Sequence, residues 1–579
     1  MARGLSRSAP DRRPHEPTAA ALSALATPRS RHALVAILCL ASIAWVFRDA
    51  LHGGLHILYG DSYDGVIEVA ILEHWHRVVT AGAAWDVTGY FHPYPGTLGY
   101  NDTYLIPGIP FTLARIAGAN PFLAAFTSHV AMKAAGFAGM YVLLRRGLAI
   151  AMPLALAGAV LFATANVSLL HMYHAQLLSV GLLPWLGFLT VRTIAAVRDR
   201  ASRRVLGWGC GFALLYGASA FSAFYALWFF SLFLAISMPV ALLVAERHDR
   251  RAIVMAAASQ WRPLAACGIV AMLALVPTLL LYLPKLGDAQ HAWRTGAYLY
   301  LPSATTLFDV GSGNLVWGRL PAALGYALPL PGGEVSVGLP IGLIAATLFA
   351  TLWASRAGRQ GRMVIVIGAS LAIMLALALR WPGDHSAWWY VHAYVPGAAA
   401  IRVVSRLLVF ALVGVIAMVM LFLGRAPRPA WLTVAILGGL LVEQVQLAAP
   451  LALDRAAQMA MLRDVGPPPV ACDAFVVVSA RPAGYPVLAE AARIDRAWGG
   501  DGGNGAALYY RHNADAMLLA SYYGRPTING FSSANPPDWA FAAPDARDYP
   551  ARVRAYATRH RLARLCGLDM RRTPHWFAL

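Results

Sequence analysis

The chain has 579 residues, of which 58% are hydrophobic and only 13% charged, and its formal net charge is +19. About a quarter of the residues are charged in soluble proteins, so this composition excludes an ordinary soluble domain and indicates an integral membrane protein. The basic residues form short clusters at the ends of apolar runs, which argues against a nucleic-acid-binding surface. We therefore expect a lipid bilayer, and no nucleic acid, as a partner.

The N-terminal residues 1–32 are rich in Arg, Pro and Ala, and we expect them to be disordered and cytoplasmic. The first apolar run lacks a small-residue cleavage site, which favours a retained helix over a signal peptide. Short cytoplasmic loops collect Arg and Lys, and Arg clusters interrupt the later apolar runs. These breaks predict about eleven spans, at residues 33–50, 122–144, 148–169, 175–195, 205–221, 223–244, 264–284, 335–355, 363–380, 403–424 and 430–448.

This charge pattern places the N-terminus in the cytoplasm and three long loops of the transmembrane domain 33–449 outside. Those loops comprise residues 51–121, 285–334 and 381–402. A short apolar run at 104–117 is interrupted by prolines, so we interpret it as a re-entrant or interfacial piece. The predicted fold is a polytopic α-helical membrane protein with its long loops extracytoplasmic.

The tail, residues 450–579, is predicted to form a small extracytoplasmic α/β domain. It contains a strand pattern at 474–479, a Gly-rich loop at 499–505 and an amphipathic helix at 550–563. Cys472 and Cys566 lie near the two ends of this tail, in a compartment that permits disulfides. A bridge between them would contribute about 4 kcal/mol in the chain-entropy model, but the sequence leaves the cysteines bridged or free.

Two carboxylates, Asp61 and Asp64, follow the first span directly. A carboxylate at this place can act as a general base or can bind a divalent cation such as Mg²⁺ or Mn²⁺. The alternative is structural, because Asp61 suits the N-cap of a helix and Asp64 suits its first turn. One residue can serve both purposes.

Further polar candidates are predicted on the same outer side. Tyr94 and Asp102 lie in an aromatic part of the first loop that suits a sugar ring, although tyrosines also populate the membrane interface. His171 and His174 follow the third span and can orient a substrate, or they can be plain interfacial histidines. Two imidazoles alone do not make a metal site, and the sequence identifies no metal ligand set.

Arg402 and Arg406 precede the tenth span on the side where arginine is disfavoured. Four residues apart on one helical face, their guanidinium groups would clamp a phosphate, or they would bind lipid headgroups. His129 and Lys133 lie inside the second span and mark the interior of the bundle, with Glu443 as a candidate partner of Lys133. No nucleotide-binding P-loop occurs in the chain, which disfavours nucleotide-driven transport.

The acidic pair after the first span, the long first loop, the number of spans and the external tail resemble the GT-C superfamily of polyprenyl-phosphate-dependent glycosyltransferases. The stretch IRVVSR at 401–406 and the tail motif PTINGFS at 526–532, followed by Pro536 and Pro537, are similar to those of a group of bacterial GT-C-like membrane proteins. The tail has no counterpart of the WWDYG-type motif of oligosaccharyltransferases.

The resemblance implies an inverting glycosyltransferase of the bacterial inner membrane with a periplasmic tail. It would transfer a sugar from a polyprenyl-phosphate donor to a glycan, lipid or protein acceptor, with Asp61 or Asp64 as the base and Arg402 and Arg406 at the phosphate. Two alternatives stay open, a flippase or exporter of lipid-linked glycans and a non-catalytic cell-envelope assembly protein. The sequence does not specify the donor sugar, the acceptor, the metal dependence or the oligomeric state.

Overall fold

A computed structural model describes residues 28–287, 291, 293–294, 296–323, 336–381, 383, 385–447, 451–479, 506–532 and 534–579. Most of the N-terminal segment 1–32 that was expected to be disordered, namely residues 1–27, lies outside these residues, as do the middle of the predicted loop 285–334 and the Gly-rich loop 499–505. The expectation is wrong for residues 28–32, which form the start of the helix Pro28–Val46. The described chain is mostly helical and carries two small sheets.

The longer helices of the first three quarters of the chain follow one another with short connections. They are α1 Pro28–Val46, α2 Asp64–Ala81, α3 Leu105–Ile116, α4 Pro121–Val142, α5 Met152–Ala163, α6 Leu183–Arg198, α7 Ser202–Ser222, α8 Phe224–Val244, α9 Arg247–Ser259, α10 Trp261–Tyr282, α11 Ile341–Arg356, α12 Arg362–Ala378, α13 Leu407–Arg425 and α14 Ala430–Val442. The tail adds α15 Arg455–Val465, α16 Ala506–Tyr523 and α17 Tyr549–Arg559.

Seven helical stretches among the described residues are long and apolar enough to cross a membrane, judged by length and composition. They are Pro28–Val46, Met152–Leu170, Ala175–Arg198, Ser202–Ser222, Phe224–Val244, Trp261–Lys285 and Val404–Arg425. Four shorter apolar helices are α3, α11, α12 and α14. A helix is present at each predicted span, but α4, at the predicted span 122–144, belongs to neither group, and α3 lies in the run predicted to be re-entrant or interfacial. The architecture is compatible with a multi-pass membrane protein.

Several Arg-bearing helix ends meet at one end of the helical bundle. The Arg362 guanidinium, at the start of α12, pairs with the carboxylates of Glu246 and Asp249 at the start of α9. Arg425, at the end of α13, donates from Nη1 to the Gln360 carbonyl over 3.0 Å. The connections that the charge pattern predicts on one side are therefore neighbours in the fold.

The opposite end of the bundle carries the first loop and the tail, which share one hydrophobic core. The short strands β1 Ile57–Tyr59 and β2 Leu451–Asp454 pair antiparallel, with Ile57 opposite Asp454. Helix α16 of the tail packs along α2 of the first loop. Buried apolar residues of both segments form one cluster, so the tail is built onto the first loop.

The tail itself contains a three-stranded sheet of β3 Ala474–Ser479, β4 Leu565–Asp569 and β5 Trp576–Ala578. Strand β3 pairs parallel to β4, and β4 pairs antiparallel to β5. The strand predicted at 474–479 is confirmed, and the helix predicted at 550–563 is found as α17. Cys472 and Cys566 form a disulfide. It links the segment just before β3 to strand β4.

Candidate active site at the start of helix α2

Asp61 organises the turn that begins α2. Its Oδ1 accepts the backbone N–H groups of Tyr63 over 2.9 Å and of Gly65 over 3.0 Å. The N-cap position belongs to Tyr63 and not to Asp61, and Asp64 is the first helical residue. The prediction that Asp61 occupies the N-cap position is therefore wrong. Asp61 lies before the N-cap, and its carboxylate still accepts amide hydrogen bonds from the start of the helix.

The carboxyl of Asp61 has an unusual pKa. Burial and the negative charge of Asp64 raise the pKa of Asp61 to about 6, although the two amide hydrogen bonds and the nearby His174 oppose this shift. A pKa near the working pH is what a general base or a proton-sharing partner requires. The capping contacts and a chemical role are therefore compatible at this residue.

His174 joins the acidic pair from a distant part of the chain. Its Nδ1 lies 3.1 Å from Oδ2 of Asp64, while the side chain of His174 is 5% exposed and that of Asp64 is 39% exposed. The ring of Tyr173 lies against His174 with 4.0 Å between centroids. Asp64 is therefore a carboxylate that a buried imidazole orients and that an external molecule can still reach.

The second predicted histidine makes a different contact. His171 Nε2 lies 3.0 Å from the carbonyl oxygen of Ser336, and its ring centroid is 6.3 Å from that of His174. Of the two histidines, His174 is the one that meets the acidic pair directly.

Tyr104 lies within electrostatic range of Asp64 and of Arg406, and it was not among the residues predicted from sequence. Burial and the negative charges of Asp102, Glu68 and Asp64 raise the pKa of Tyr104 well above its ordinary value, whereas the positive charge of Arg406 lowers it. The phenol therefore lies within electrostatic reach of carboxylates on one side and a guanidinium on the other. Its backbone has a φ of +53°, a strained conformation for a residue other than Gly that is more frequent at functional sites.

Asp102 binds the start of α8. Its Oδ1 accepts the N–H of Phe224 over 3.0 Å. Burial raises the pKa of Asp102, while this hydrogen bond and the charge of Arg406 oppose the increase. Asp102 thus holds the beginning of α8 beside Arg406.

Arg402 and Arg406 do not share one face of an α-helix, contrary to prediction. Val404–Arg406 form a 3₁₀ turn and α13 begins only at Leu407, so helical spacing does not apply. Tyr225 contacts both residues instead. Its hydroxyl accepts the backbone N–H of Arg402 over 3.0 Å, and the guanidinium of Arg406 lies 5.0 Å from its ring centroid.

The two guanidinium groups are both stacked on tyrosines. That of Arg402 lies 5.4 Å from the ring centroid of Tyr300, and Arg406 is 4% exposed. Both guanidinium groups therefore pack against aromatic faces, which favour a cation. The phosphate-binding role of the pair stays a prediction.

Tyr94 lies away from the acidic pair, at the contact between the first loop and the tail. Its hydroxyl donates to the carboxylate of Asp538, which also binds Arg559 Nη1 at 2.9 Å and His560 Nε2 at 2.8 Å. Burial would raise the pKa of Asp538, but the hydrogen bonds from Tyr94, His560 and Arg559 hold it below its usual value. In this structure Tyr94 binds the first loop to the tail and does not lie beside the acidic pair.

The ionisable residues inside the bundle form pairs that differ in part from those predicted. Lys133 Nζ donates to Ser168 Oγ over 2.7 Å. Glu443 Oε2 accepts Trp317 Nε1 at 3.0 Å and the N–H of Gly342 at 2.8 Å. The predicted Lys133–Glu443 pair is therefore wrong, because Glu443 satisfies the first turn of α11 instead.

His129 pairs with Glu68, one helical turn after Asp64 on α2. Its Nε2 lies 2.8 and 3.1 Å from the two carboxylate oxygens of Glu68, and both residues are buried. This pair ties α2 to α4 immediately behind the acidic pair. Sequence reasoning placed His129 in the bundle interior and did not identify its partner.

Within the described part of the chain, no group of three or more His, Cys, Asp and Glu side chains is arranged to hold a metal ion. A cation at Asp61 and Asp64 would therefore take its remaining ligands from a bound substrate or from water.

No protein-family model matches the chain, and no curated protein matches it. Sequence similarity thus shows neither a family nor an activity for this protein.

Proposed function

We propose that the protein is a multi-pass membrane glycosyltransferase of the GT-C type. It transfers a sugar from a polyprenyl-phosphate donor to an extracytoplasmic glycan, lipid or protein acceptor with inversion. The observation that supports this most directly is the contact between His174 Nδ1 and Asp64 Oδ2, 3.1 Å apart, which orients a carboxylate whose side chain stays 39% exposed. A base and an anion site on one side of the bundle are what such a transfer needs.

The proposed topology has about eleven spans, with the cluster of Arg-bearing ends in the cytoplasm of a bacterial inner membrane. The first loop and the tail then lie in the periplasm. Nucleotide sugars are not expected there, so the donor would arrive on a lipid. The disulfide in the tail is compatible with this oxidising compartment.

In the proposed reaction, Asp64 takes the proton of the acceptor hydroxyl. His174 holds Oδ2 of Asp64 and leaves Oδ1 for the acceptor. The acceptor oxygen forms a bond to the anomeric carbon while the bond from that carbon to the phosphate oxygen breaks. The electron pair leaves with the lipid phosphate, whose charge is stabilised by Arg406 and Arg402.

Asp61 assists this step without contacting the acceptor. It fixes the turn that presents Asp64, and its raised pKa lets it exchange a proton near neutral pH. A divalent cation bridging the carboxylates and the donor phosphate would serve the same site.

The test is turnover of radiolabelled polyprenyl-phosphate monosaccharides by the purified protein in detergent. Asp64→Asn is expected to reduce release of lipid phosphate by about 10²- to 10⁴-fold, the usual contribution of a general base. Asp199→Asn is the matched control, because the Asp199 side chain is 41% exposed and lies at the Arg-bearing end. Undiminished turnover in Asp64→Asn would refute the assignment of the base.

The same preparation separates the proposal from its rivals. A flippase or exporter would move the lipid-linked glycan across reconstituted vesicles without releasing lipid phosphate. An assembly protein would do neither, and its function would depend on the tail alone.

A further inference from the structure

A cavity lies at the Arg-bearing end of the bundle, between α1 and α4 and far along α4 from the acidic pair. It measures about 460 Å³ and is lined by His32, Val35, Tyr141, Arg145 and Arg146. Helix α1 packs on α4 and α5, so the cavity is the open end of a helix–helix groove. None of its residues takes part in the proposed transfer.

The backbone beneath the cavity is irregular. Helix α4 ends at Val142 and continues as a π-helical turn, Leu143–Gly147. Such turns are rare and are enriched at functional sites. This turn carries Arg145 and Arg146 consecutively, and both side chains contribute to the cavity wall.

Within the described ranges, the two arginines differ from others at this end, which pair with carboxylates. Arg362 pairs with Glu246 and Asp249, and Arg204 pairs with Asp199. Arg145 donates only a long hydrogen bond, 3.3 Å, to the carbonyl of Ile150. Among the described residues, no carboxylate forms an ion pair with Arg145 or Arg146. The cavity is therefore cationic, and no carboxylate of the described residues neutralises it.

Helix α1 contributes the apolar Val35 to the cavity wall and carries exposed apolar side chains on its other face. Leu34, Ile37 and Leu40 are 44%, 60% and 66% exposed. In a membrane-spanning helix this face meets acyl chains. A ligand that fits both surfaces has an anionic head and hydrocarbon tails.

We propose that this cavity binds the headgroup of an anionic phospholipid of the cytoplasmic leaflet. The Arg145 and Arg146 guanidinium groups would bind the phosphate oxygens by charge-assisted hydrogen bonds. His32 and the hydroxyl of Tyr141 would supply further donors, and the acyl chains would lie along α1. Basic pockets between transmembrane helices on the cytoplasmic side are suited to such headgroups.

The test is native mass spectrometry of the full-length, delipidated protein titrated with phosphatidylglycerol or with phosphatidylcholine. Wild-type protein is expected to retain phosphatidylglycerol preferentially. The double variant Arg145→Gln with Arg146→Gln is expected to bind it about tenfold or more weakly. The control, Arg247→Gln with Arg251→Gln, removes the same charge from exposed positions of α9 and is expected to change binding less than about twofold.

If the glutamine variant does not fold, the double variant Arg145→Lys with Arg146→Lys keeps the charge but loses the planar fork, and it is expected to bind a few-fold more weakly. Equal retention in wild type and variants, or equal loss in the control, would overturn the proposal. Displacement of phosphatidylglycerol by millimolar inorganic phosphate or glycerol phosphate would assign the cavity to a soluble phosphate and would also overturn it.

Discussion

Replacing one member of the Glu68–His129 pair by leucine tests how α2 is held in place. Glu68 is 2% exposed and His129 3% exposed, and the imidazole reaches both carboxylate oxygens. Removing one member of a buried pair leaves the other without its partner, which costs about 3–5 kcal/mol. Replacing both by apolar residues of similar volume is often close to neutral. Glu68→Leu and His129→Leu should therefore each destabilise the protein far more than the double variant does.

The measurement is thermal unfolding of the purified protein in detergent, followed by tryptophan fluorescence at one fixed scan rate because unfolding of such a protein is irreversible. Each single variant is expected to lower the midpoint by roughly 3–4 °C, and the double variant by about 1 °C or less. Asp548→Ala breaks an exposed pair with Arg552 and should have little effect, since such pairs contribute about 0–1 kcal/mol. The reasoning fails if the double variant is destabilised by the sum of the two single effects.

Four further outcomes are expected. Turnover should fall as the pH decreases through about 6, where Asp61 gains a proton, and Asp61→Asn, which resembles the protonated form, should have low turnover at every pH and lose this acid limb. Because the folded protein raises the pKa of Asp61, ionisation of Asp61 opposes folding, so Asp61→Asn should also raise the unfolding midpoint above pH 6 but not below pH 4. Cys472→Ser with Cys566→Ser opens a crosslink across 94 residues and should lower the unfolding free energy by up to about 4 kcal/mol, checked against reduced wild type. Tyr94→Phe removes a donor to Asp538 and should increase protease cleavage of the tail, while turnover per folded molecule is retained.

The sequence predicts at which end of the bundle a side chain lies. It does not predict which other side chain at that end the residue contacts. Charge counting assigns each helix end to one side, and this suffices to put Asp64 and His174 at the same end, although 110 residues separate them; their contact came only from the structure. Tyr104 escaped prediction because its importance comes from the charges that surround it, which belong to other helices. No local pattern reports such an arrangement.

The two errors of pairing have local causes. Helical spacing between Arg402 and Arg406 assumes an α-helix, but the chain enters α13 through a 3₁₀ turn that Tyr225 holds by hydrogen bonding to the Arg402 amide. The pairing of Lys133 with Glu443 assumed that buried opposite charges find each other. A helix start offers a carboxylate unsatisfied N–H groups, and Glu443 accepts one from Gly342 of α11.

The tail motif at 526–532 acquires a physical role from its neighbours. The N–H of Phe91 donates to the Asn529 carbonyl over 2.9 Å, and the N–H of Thr527 donates to the Gly89 carbonyl over 2.7 Å. A side chain at Gly530 would collide with the Phe91 ring, so only glycine permits this approach. The motif therefore binds the tail to the first loop through backbone groups.

This docking also bears on the acidic pair. Helix α16 of the tail packs on α2, whose first residue is Asp64, while the Glu68–His129 pair ties α2 to the bundle through α4. A base must be held close to its productive position, and groups supported from two sides lose little freedom when a substrate binds. The tail thus stiffens the helix that carries the proposed base, which explains why a chain with its candidate site on the first loop would keep a C-terminal segment packed against that loop.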